Sequence, residues 1–122
     1  MKPIPKSLLI HKVQIQTVTG KDEWGSETFS DPVPVRYVRL EPSTKYVKDK
    51  QNEEIQLAAV LFYDCHNSRP RGMAFHDGQM IVFHGEMYRI QLVEPLYDGR
   101  KLHHFEVGLI RNEIGRASCR ER

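Results

Sequence analysis

The sequence predicts a mostly β protein: a small antiparallel β-barrel or sandwich of about six strands, with or without one short helix. Residues 79–110 carry this prediction, because three apolar-patterned segments are separated there by two turn signals. The first signal is His84-Gly85, which suits a two-residue hairpin turn because glycine and, less readily, histidine tolerate positive φ. The second is the glycine-containing segment 97–100. In the last segment every second residue from Phe105 to Leu109 is apolar, which is the period of a strand.

The N-terminal half predicts two further strands. Residues 8–19 alternate apolar and polar side chains and are followed by a glycine-bounded loop, residues 20–26. Residues 35–42 read as the second strand, and two prolines just before them favour an extended backbone. The apolar parity of this strand shifts between Tyr37 and Val38. We therefore predict a β-bulge at that point.

The middle of the chain joins a charged segment to a strongly apolar one. Residues 43–54 contain six charged side chains, which suits an exposed loop best, with a hairpin tip or one helical turn as alternatives. Residues 55–63 form a predicted strand that is apolar on both faces. One face carries the larger set: Ile55, Leu57, Ala59, Leu61 and Tyr63. The other carries Ala58, Val60 and Phe62. Such a strand is either covered on both sides or packs against another subunit, so we predict that these last three residues form an interface.

Length and composition favour one soluble domain. The chain has 122 residues, 39% of them hydrophobic and 28% charged, and one domain over residues 1–112 would bury roughly 65% of its unfolded surface. The net charge of +2 is too small to argue for nucleic-acid binding. No apolar run approaches the ~20 residues of a membrane helix, and no signal-peptide pattern follows the first residues. An intracellular protein is expected.

The last ten residues are expected to be foreign to the fold. Residues 113–122 resemble the translation of a short-read sequencing adapter. We interpret them as an artefactual, disordered tail and exclude them from the fold. Without them Cys65 is the only cysteine, since Cys119 belongs to the tail, and no intramolecular disulfide is expected.

No residue set predicts catalysis, a metal site or a cofactor. His103 and His104 are adjacent, and on a regular strand they would point to opposite faces. Asp64, Cys65 and His66 are clustered but lack the spacing of zinc ligands, and no nucleophile or nucleotide-binding motif is present. We therefore predict that the protein is not an enzyme. The loop aromatics Trp24 and Tyr97 are expected to fold back over the core rather than to contact a partner.

A basic cluster leaves a nucleic-acid-binding barrel open as an alternative. Arg36, Arg39, Lys45, Lys48 and Lys50 fall within one strand and the loop after it. An OB-type binder would combine such charges with stacking aromatic side chains. Only two tyrosines lie nearby, at positions 37 and 46, so the signal is weak.

Several motifs together resemble a known family. They are Lys2-Pro3-Ile4-Pro5-Lys6-Ser7-Leu8-Leu9-Ile10-His11, Asp22-Glu23-Trp24-Gly25, Asp31-Pro32 leading into Val38-Arg39-Leu40-Glu41, Phe83-His84-Gly85-Glu86-Met87-Tyr88-Arg89-Ile90 and His103-His104-Phe105-Glu106-Val107. Over residues 1–110 the chain resembles the tailed-phage minor capsid proteins of the head–tail connector type. One departure is His84-Gly85, where the family usually has Asn-Gly.

The resemblance implies a structural subunit of a head-completion, or stopper, ring at the virion neck, assembled in the host cytoplasm. Implied partners are further copies of the chain, portal and adaptor proteins, tail-completion or tail-tube proteins and, weakly and without sequence preference, packaged DNA. No membrane is implied. Residues 43–54 would match the stopper's channel loop, which would place Lys45, Lys48 and Lys50 near DNA. A tail-completion or tail-terminator subunit is the structural alternative.

Overall fold

The computed structural model describes residues 2–112, and every structural statement below concerns those residues. The predicted artefactual tail, residues 113–122, lies outside them. Ten strands follow one 3₁₀ turn, Lys6–Leu8. They are β1 (His11–Gln16), β2 (Val18–Lys21), β3 (Glu27–Phe29), β4 (Val33–Pro42), β5 (Tyr46–Lys48), β6 (Glu54–Gln56), β7 (Ala59–Asp64), β8 (Met80–Phe83), β9 (Glu86–Asp98) and β10 (Lys101–Arg111).

Six of these strands form a closed antiparallel barrel in the order β1-β4-β7-β10-β9-β8. The ring is complete because β1 is hydrogen-bonded to β4 on one side and to β8 on the other. The remaining strands form two small hairpins, β2-β3 and β5-β6. The predicted mostly β fold of about six main strands is confirmed. In the described part of the chain, no helix is long and apolar enough to cross a membrane.

Side chains that alternate along each barrel strand fill the interior. The buried cluster draws on every barrel strand and on the 65–79 connection: Val13, Ile15, Val35, Val38, Leu40, Ala59, Leu61, Tyr63, Phe75, Ile81, Tyr88, Ile90, Val107 and Leu109. Tyr63 packs edge-to-face on Phe75 at a centroid distance of 5.2 Å. Fully burying one such side chain contributes about 1.5–3 kcal/mol, so this cluster is the main source of stability.

The C-terminal meander forms as its turn signals predict. β8, β9 and β10 are consecutive antiparallel neighbours. Between β8 and β9, His84 and Gly85 have φ of 50° and 79°, the two positive values that a type I′ turn requires. The two residues His84 and Gly85 were therefore enough to predict this turn.

The predicted bulge in the second strand is also confirmed. His11 pairs with Val38, whereas Lys12 pairs with Arg36, so Tyr37 is the extra residue and has φ of 58°. Opposite the bulge, the Leu40 amide donates a hydrogen bond to His11 Nδ1 at 3.0 Å. The bulge thus lets a side chain replace a backbone partner in the ladder.

Two predicted strands are interrupted. Residues 8–19 separate into β1 and β2 at Thr17, whose amide bonds to the Ser30 hydroxyl at 3.0 Å. Residues 55–63 separate into β6 and β7 because the backbone changes partners. The Leu57 amide bonds to Lys45 in the hairpin at 2.8 Å, and the Ala58 amide bonds to Leu109 in the barrel at 2.8 Å.

Leu57 fixes the β5-β6 hairpin to the outside of the barrel. Its side chain is buried but lies outside the interior cluster. A methyl group on Gly108 would lie 3.1 and 3.2 Å from the two δ-carbons of Leu57. The leucine therefore occupies the space that the missing side chain of Gly108 leaves free.

The contact between Leu57 and Gly108 predicts an energetic coupling. Gly108→Val should destabilise the fold by about 1–3 kcal/mol through overpacking. The double variant Gly108→Val/Leu57→Ala should lose about 1 kcal/mol less stability than the sum of the losses in the two single variants, because the smaller side chain at position 57 removes the clash. Urea unfolding of the four proteins in the cycle measures this. Leu96→Ala is the control: its loss of stability and that of Gly108→Val should simply add in the double variant. The same coupling energy in both double variants would contradict the contact between Leu57 and Gly108.

The pKa of His11 predicts a loss of stability in mild acid. Burial lowers this pKa below 6.5, with the Arg39 guanidinium and the His84 ring acting in the same direction. The unfolded state thus binds the proton more readily than the folded state, so the free energy of unfolding should fall as pH drops through about 6.5. Protonation of Nδ1 would also remove the acceptor for the Leu40 amide.

His11→Asn keeps an acceptor at the position of Nδ1 but does not titrate. Denaturant midpoints measured at pH 7.5 and 5.5 should therefore differ less in His11→Asn than in the wild type. His66→Asn, at an exposed loop position, is the matched control for removing one histidine. An unchanged pH response in His11→Asn would show that His11 is not the group responsible.

Candidate assembly surfaces

The β5-β6 hairpin carries the three lysines that were predicted to lie near DNA. Its tip is closed by Asp49, whose Oδ1 accepts hydrogen bonds from the amides of Gln51 and Glu53, each at 2.9 Å. Asn52 occupies the left-handed region with φ of 65°. The segment predicted as an exposed loop is thus a hairpin, one of the two alternatives, and its charged residues are exposed except for the half-buried Asp49.

These lysines do not form a net positive surface. Lys48 lies opposite Glu54 in the hairpin register, and Lys50 Nζ is 3.3 Å from Asp77 Oδ2. Lys45 is exposed at the base of the hairpin. Between residues 45 and 54, three lysines are matched by three carboxylates. Because these charges cancel, the hairpin as a whole presents only a weak attraction for phosphate.

An open groove of about 670 Å³ separates the hairpin tip from the barrel. Its lining comes from residues 48–51 of the hairpin, residues 75–78 and residues 89–93 of β9. Cationic and acidic side chains alternate along it, including the Lys50–Asp77 pair. The groove therefore shows no single preference for a charged ligand.

Two of the three predicted interface residues, Val60 and Phe62, lie on the outer side of β7, whereas Ala58 precedes the strand and packs against the interior cluster. Ala58, Val60 and Phe62 are half-buried, whereas Ala59 and Leu61 point into the core. Across the sheet, Phe62 lies between Arg39 of β4 and Glu106 of β10. The apolar stripe is thus one strand wide and bordered by charged residues.

The N-terminal segment reduces the exposed part of this stripe. The Ile4 amide donates to Asp64 Oδ1 at 2.9 Å, and the Arg39 guanidinium donates to the Leu8 carbonyl at 3.3 Å. Ile4 and Leu8 also line a pocket of about 360 Å³ that includes Phe62. The segment therefore crosses the barrel at this point. Sequence patterning did not reveal it, because its anchors are polar contacts distant in the chain.

The expectation for the loop aromatics is wrong. Trp24 is 83% exposed and Tyr97 is 60% exposed, each near the end of a hairpin. The Trp24 amide donates to Asp22 Oδ1 at 2.9 Å, which holds the backbone of the hairpin tip in a tight turn. Sequence analysis missed this because the Asp-x-Trp-Gly spacing was read only as a loop.

The expectation that His103 and His104 point apart is wrong as well. The strand register shifts between Leu102 and His104, which rotates the two side chains toward each other. Their Nδ1 atoms are 2.8 Å apart, and His104 Nε2 is 3.1 Å from Glu106 Oε2. Even so, residues 2–112 contain no cluster of three or more His, Cys, Asp or Glu arranged to hold a metal ion.

Two of the described reactive side chains, Cys65 and Tyr63, have pKa values raised by burial. Burial raises the pKa of the Cys65 thiol, with the Asp64 carboxylate acting in the same direction, so the nucleophilic thiolate is disfavoured. Burial also raises the pKa of Tyr63, whose hydroxyl donates a hydrogen bond to the Pro70 carbonyl. Cys65 is the cysteine within residues 2–112, and its thiol is not in a disulfide. These groups contribute to the structure of the connection after β7.

Comparison with known proteins places the chain in a family. A solved structure of the phage-like element PBSX protein xkdH from Bacillus subtilis is 14% identical, with a TM-score of 0.49 over 85% of this chain and 95% of that chain. No curated protein sequence matches the chain significantly. The family model described as minor capsid protein matches residues 5–109. This range includes both hairpins and the whole barrel apart from the last two residues of β10. The chain belongs to the minor capsid protein family and is thereby a virion component.

Proposed function

We propose that the protein is a non-catalytic structural subunit of the phage head–tail connector, in the head-completion or stopper ring. The family match over residues 5–109 is the observation that carries this proposal. A closed barrel with two projecting hairpins supports it, because the barrel gives a rigid body and the hairpins give contact arms. In this role the ring joins the portal and adaptor proteins to the tail at the virion neck.

Ring formation requires two different contact surfaces on each subunit, since identical patches would give only closed pairs. The stripe formed by Ala58, Val60 and Phe62 is the apolar candidate for one of them. Its half-buried side chains and its charged border resemble the apolar core and polar rim of protein interfaces. Partner proteins above and below the ring would use the barrel ends.

A tail-completion or tail-terminator role is the structural alternative. A nucleic-acid-binding barrel is the alternative from another class, but the barrel has six strands where an OB-fold has five. The ring face of the bulge residue Tyr37, which a stacked base would need, is covered by Lys6, whose Nζ lies 4.8 Å from the ring centroid. These features favour the connector.

Removing the gene from the parent phage should separate the two structural roles. Without a connector, heads should package DNA but lose it, and complete tails of normal length should accumulate unattached. The measurements are electron microscopy of lysates and the amount of DNase-protected DNA. A plasmid copy of the wild-type gene should restore infectious particles and is the control.

Tails of abnormal length beside stable, DNA-filled heads would instead establish the tail-terminator role. Normal virions in the absence of the gene would contradict both structural roles. Salt-dependent binding of free DNA by the purified protein, with an affinity that falls steeply between low and moderate salt, would favour the nucleic-acid-binding alternative.

The β5-β6 hairpin is the part of this subunit that we propose to lie nearest to packaged DNA. Because its lysines are balanced by carboxylates, it would retain DNA by obstruction with weak phosphate contacts, which leaves the DNA free to exit at infection. Changing Lys45, Lys48 and Lys50 together to Ser should therefore lower DNA retention, by about twofold to tenfold in the heat or chelator challenge of virions.

The control variant changes Lys2 and Lys101, which are exposed elsewhere, to Ser. It should retain DNA as the wild type does. Identical retention and ejection in the hairpin variant and the wild type would remove the hairpin lysines from this role.

A further inference from the structure

The tip of the β2-β3 hairpin presents an aromatic side chain in a rigid frame. Asp22 Oδ1 accepts hydrogen bonds from the amides of Trp24 at 2.9 Å and Ser26 at 3.0 Å, and Gly25 has φ of 83°. The turn thus fixes the backbone position from which the exposed indole projects. The tip is acidic as well, because Asp22 and Glu23 are exposed beside it without a cation within residues 22–26.

The hairpin is held on one side of β1. Glu27 of the hairpin forms an ion pair with Arg89 of β9, with a distance of 2.5 Å between Oε1 and Nη2. At the base, the Gln79 side chain donates to the Thr17 hydroxyl at 3.0 Å. Both partners lie toward β8 and β9 in the barrel order. The hairpin therefore leans away from β4.

A complementary pocket lies on the other side of β1. It has a volume of about 550 Å³ and is lined by Lys12 of β1, residues 33, 34 and 36 of β4, and Arg69 and Pro70. Reciprocal backbone hydrogen bonds of 2.7 and 3.0 Å between Arg36 and Arg69 hold its two walls together. Its floor is apolar and it contains three cationic side chains but no acidic one.

We propose that the hairpin tip of one subunit docks into this pocket of the next subunit, with a second copy of this chain as the occupant. The Trp24 ring would pack on Pro34 and Pro70 with the Arg36 guanidinium over its face, and Glu23 would meet the cations of the rim. This inference rests on the proposed connector ring and supplies its contact.

The charges and positions of the two surfaces indicate that the partner is a second copy of this chain. An acidic tip meets a cationic pocket, so each side lacks the charge that the other provides. Because the tip leans toward β8 and β9 and the pocket lies between β1 and β4, the contact joins unlike surfaces of neighbouring copies. Repeated unlike contacts close into a ring. Tryptophan and arginine are also the residues that most often dominate interfaces.

Cross-linking tests the contact directly. In a Cys65→Ser/Cys119→Ser background, Ser26→Cys at the hairpin tip together with Val33→Cys at the pocket should give a ladder of covalent oligomers with a short thiol-specific linker, because both changes leave Trp24, Pro34 and Pro70 in place. An equal mixture of the two single-cysteine proteins should give dimers but no ladder. Tyr97→Cys with Val33→Cys is the matched control, since Tyr97 is an exposed residue outside the contact, and should give no ladder.

Charge reversal gives a second test in the full chain. Glu23→Arg and Arg36→Glu should each reduce the cross-linked ladder at least fivefold, and Glu23→Arg/Arg36→Glu should restore it. The fluorescence of Trp24, the single tryptophan, should shift to shorter wavelength as the ladder-forming concentration is reached. Thermal unfolding of each variant should match the wild type, because the changed side chains are exposed.

The outcomes separate this contact from the proposed function. A ladder equal to that of the Tyr97→Cys control, or a charge swap that fails to restore it, would overturn the contact, whatever the gene deletion shows. If the ladder forms but the deletion leaves the virion neck intact, the contact holds and the connector role fails. If the deletion removes the neck and Trp24→Ala virions assemble normally, the connector role holds and the contact fails.

Discussion

Closure of the barrel through β1 is the constraint on which the rest of the structure depends. This strand has six residues, yet it supplies hydrogen bonds to β4 on one side and to β8 on the other. The bulge at Tyr37 accommodates the closure, because an extra residue increases the local bend and twist of β4. With both sides of β1 paired, the six strands close into a ring and its interior can be filled from every strand.

Closure also determines where the additional segments lie. Neither hairpin can join the barrel sheet, so each stands outside it and is fixed by side chains. Leu57 seats the β5-β6 hairpin on Gly108, and the Glu27–Arg89 pair holds the β2-β3 hairpin toward β9. The N-terminal segment is fixed in the same way by Asp64. The body is thus defined by backbone pairing, and its contact arms by a few specific side-chain contacts.

The sequence predicted those features that depend on adjacent residues. The turn at His84-Gly85, the alternation along β10 and the bulge at Tyr37 all leave a local pattern. The break between β6 and β7 at Leu57 left no such pattern. The apolar residues continue through it while the backbone changes its hydrogen-bond partners from the β5-β6 hairpin to the barrel. The contact between His103 and His104 also escaped prediction, since it follows from a register shift against β9. At the candidate sites, patterning located the outer face of β7 but not the N-terminal segment that crosses it.

Closure of the barrel limits how such subunits can associate. A protein with an exposed edge strand can extend its sheet into a neighbour through backbone hydrogen bonds, which select little by side chain. Here each of the six barrel strands of the described chain has a paired neighbour on both sides over part of its length, and this favours association through side-chain surfaces. The short hairpins do have edges, but β5 and β6 bear Lys48 and Glu54, and charges of this kind discourage strand addition. Association through shaped, charged surfaces favours one defined neighbour over open-ended growth, as a ring with a fixed number of subunits requires.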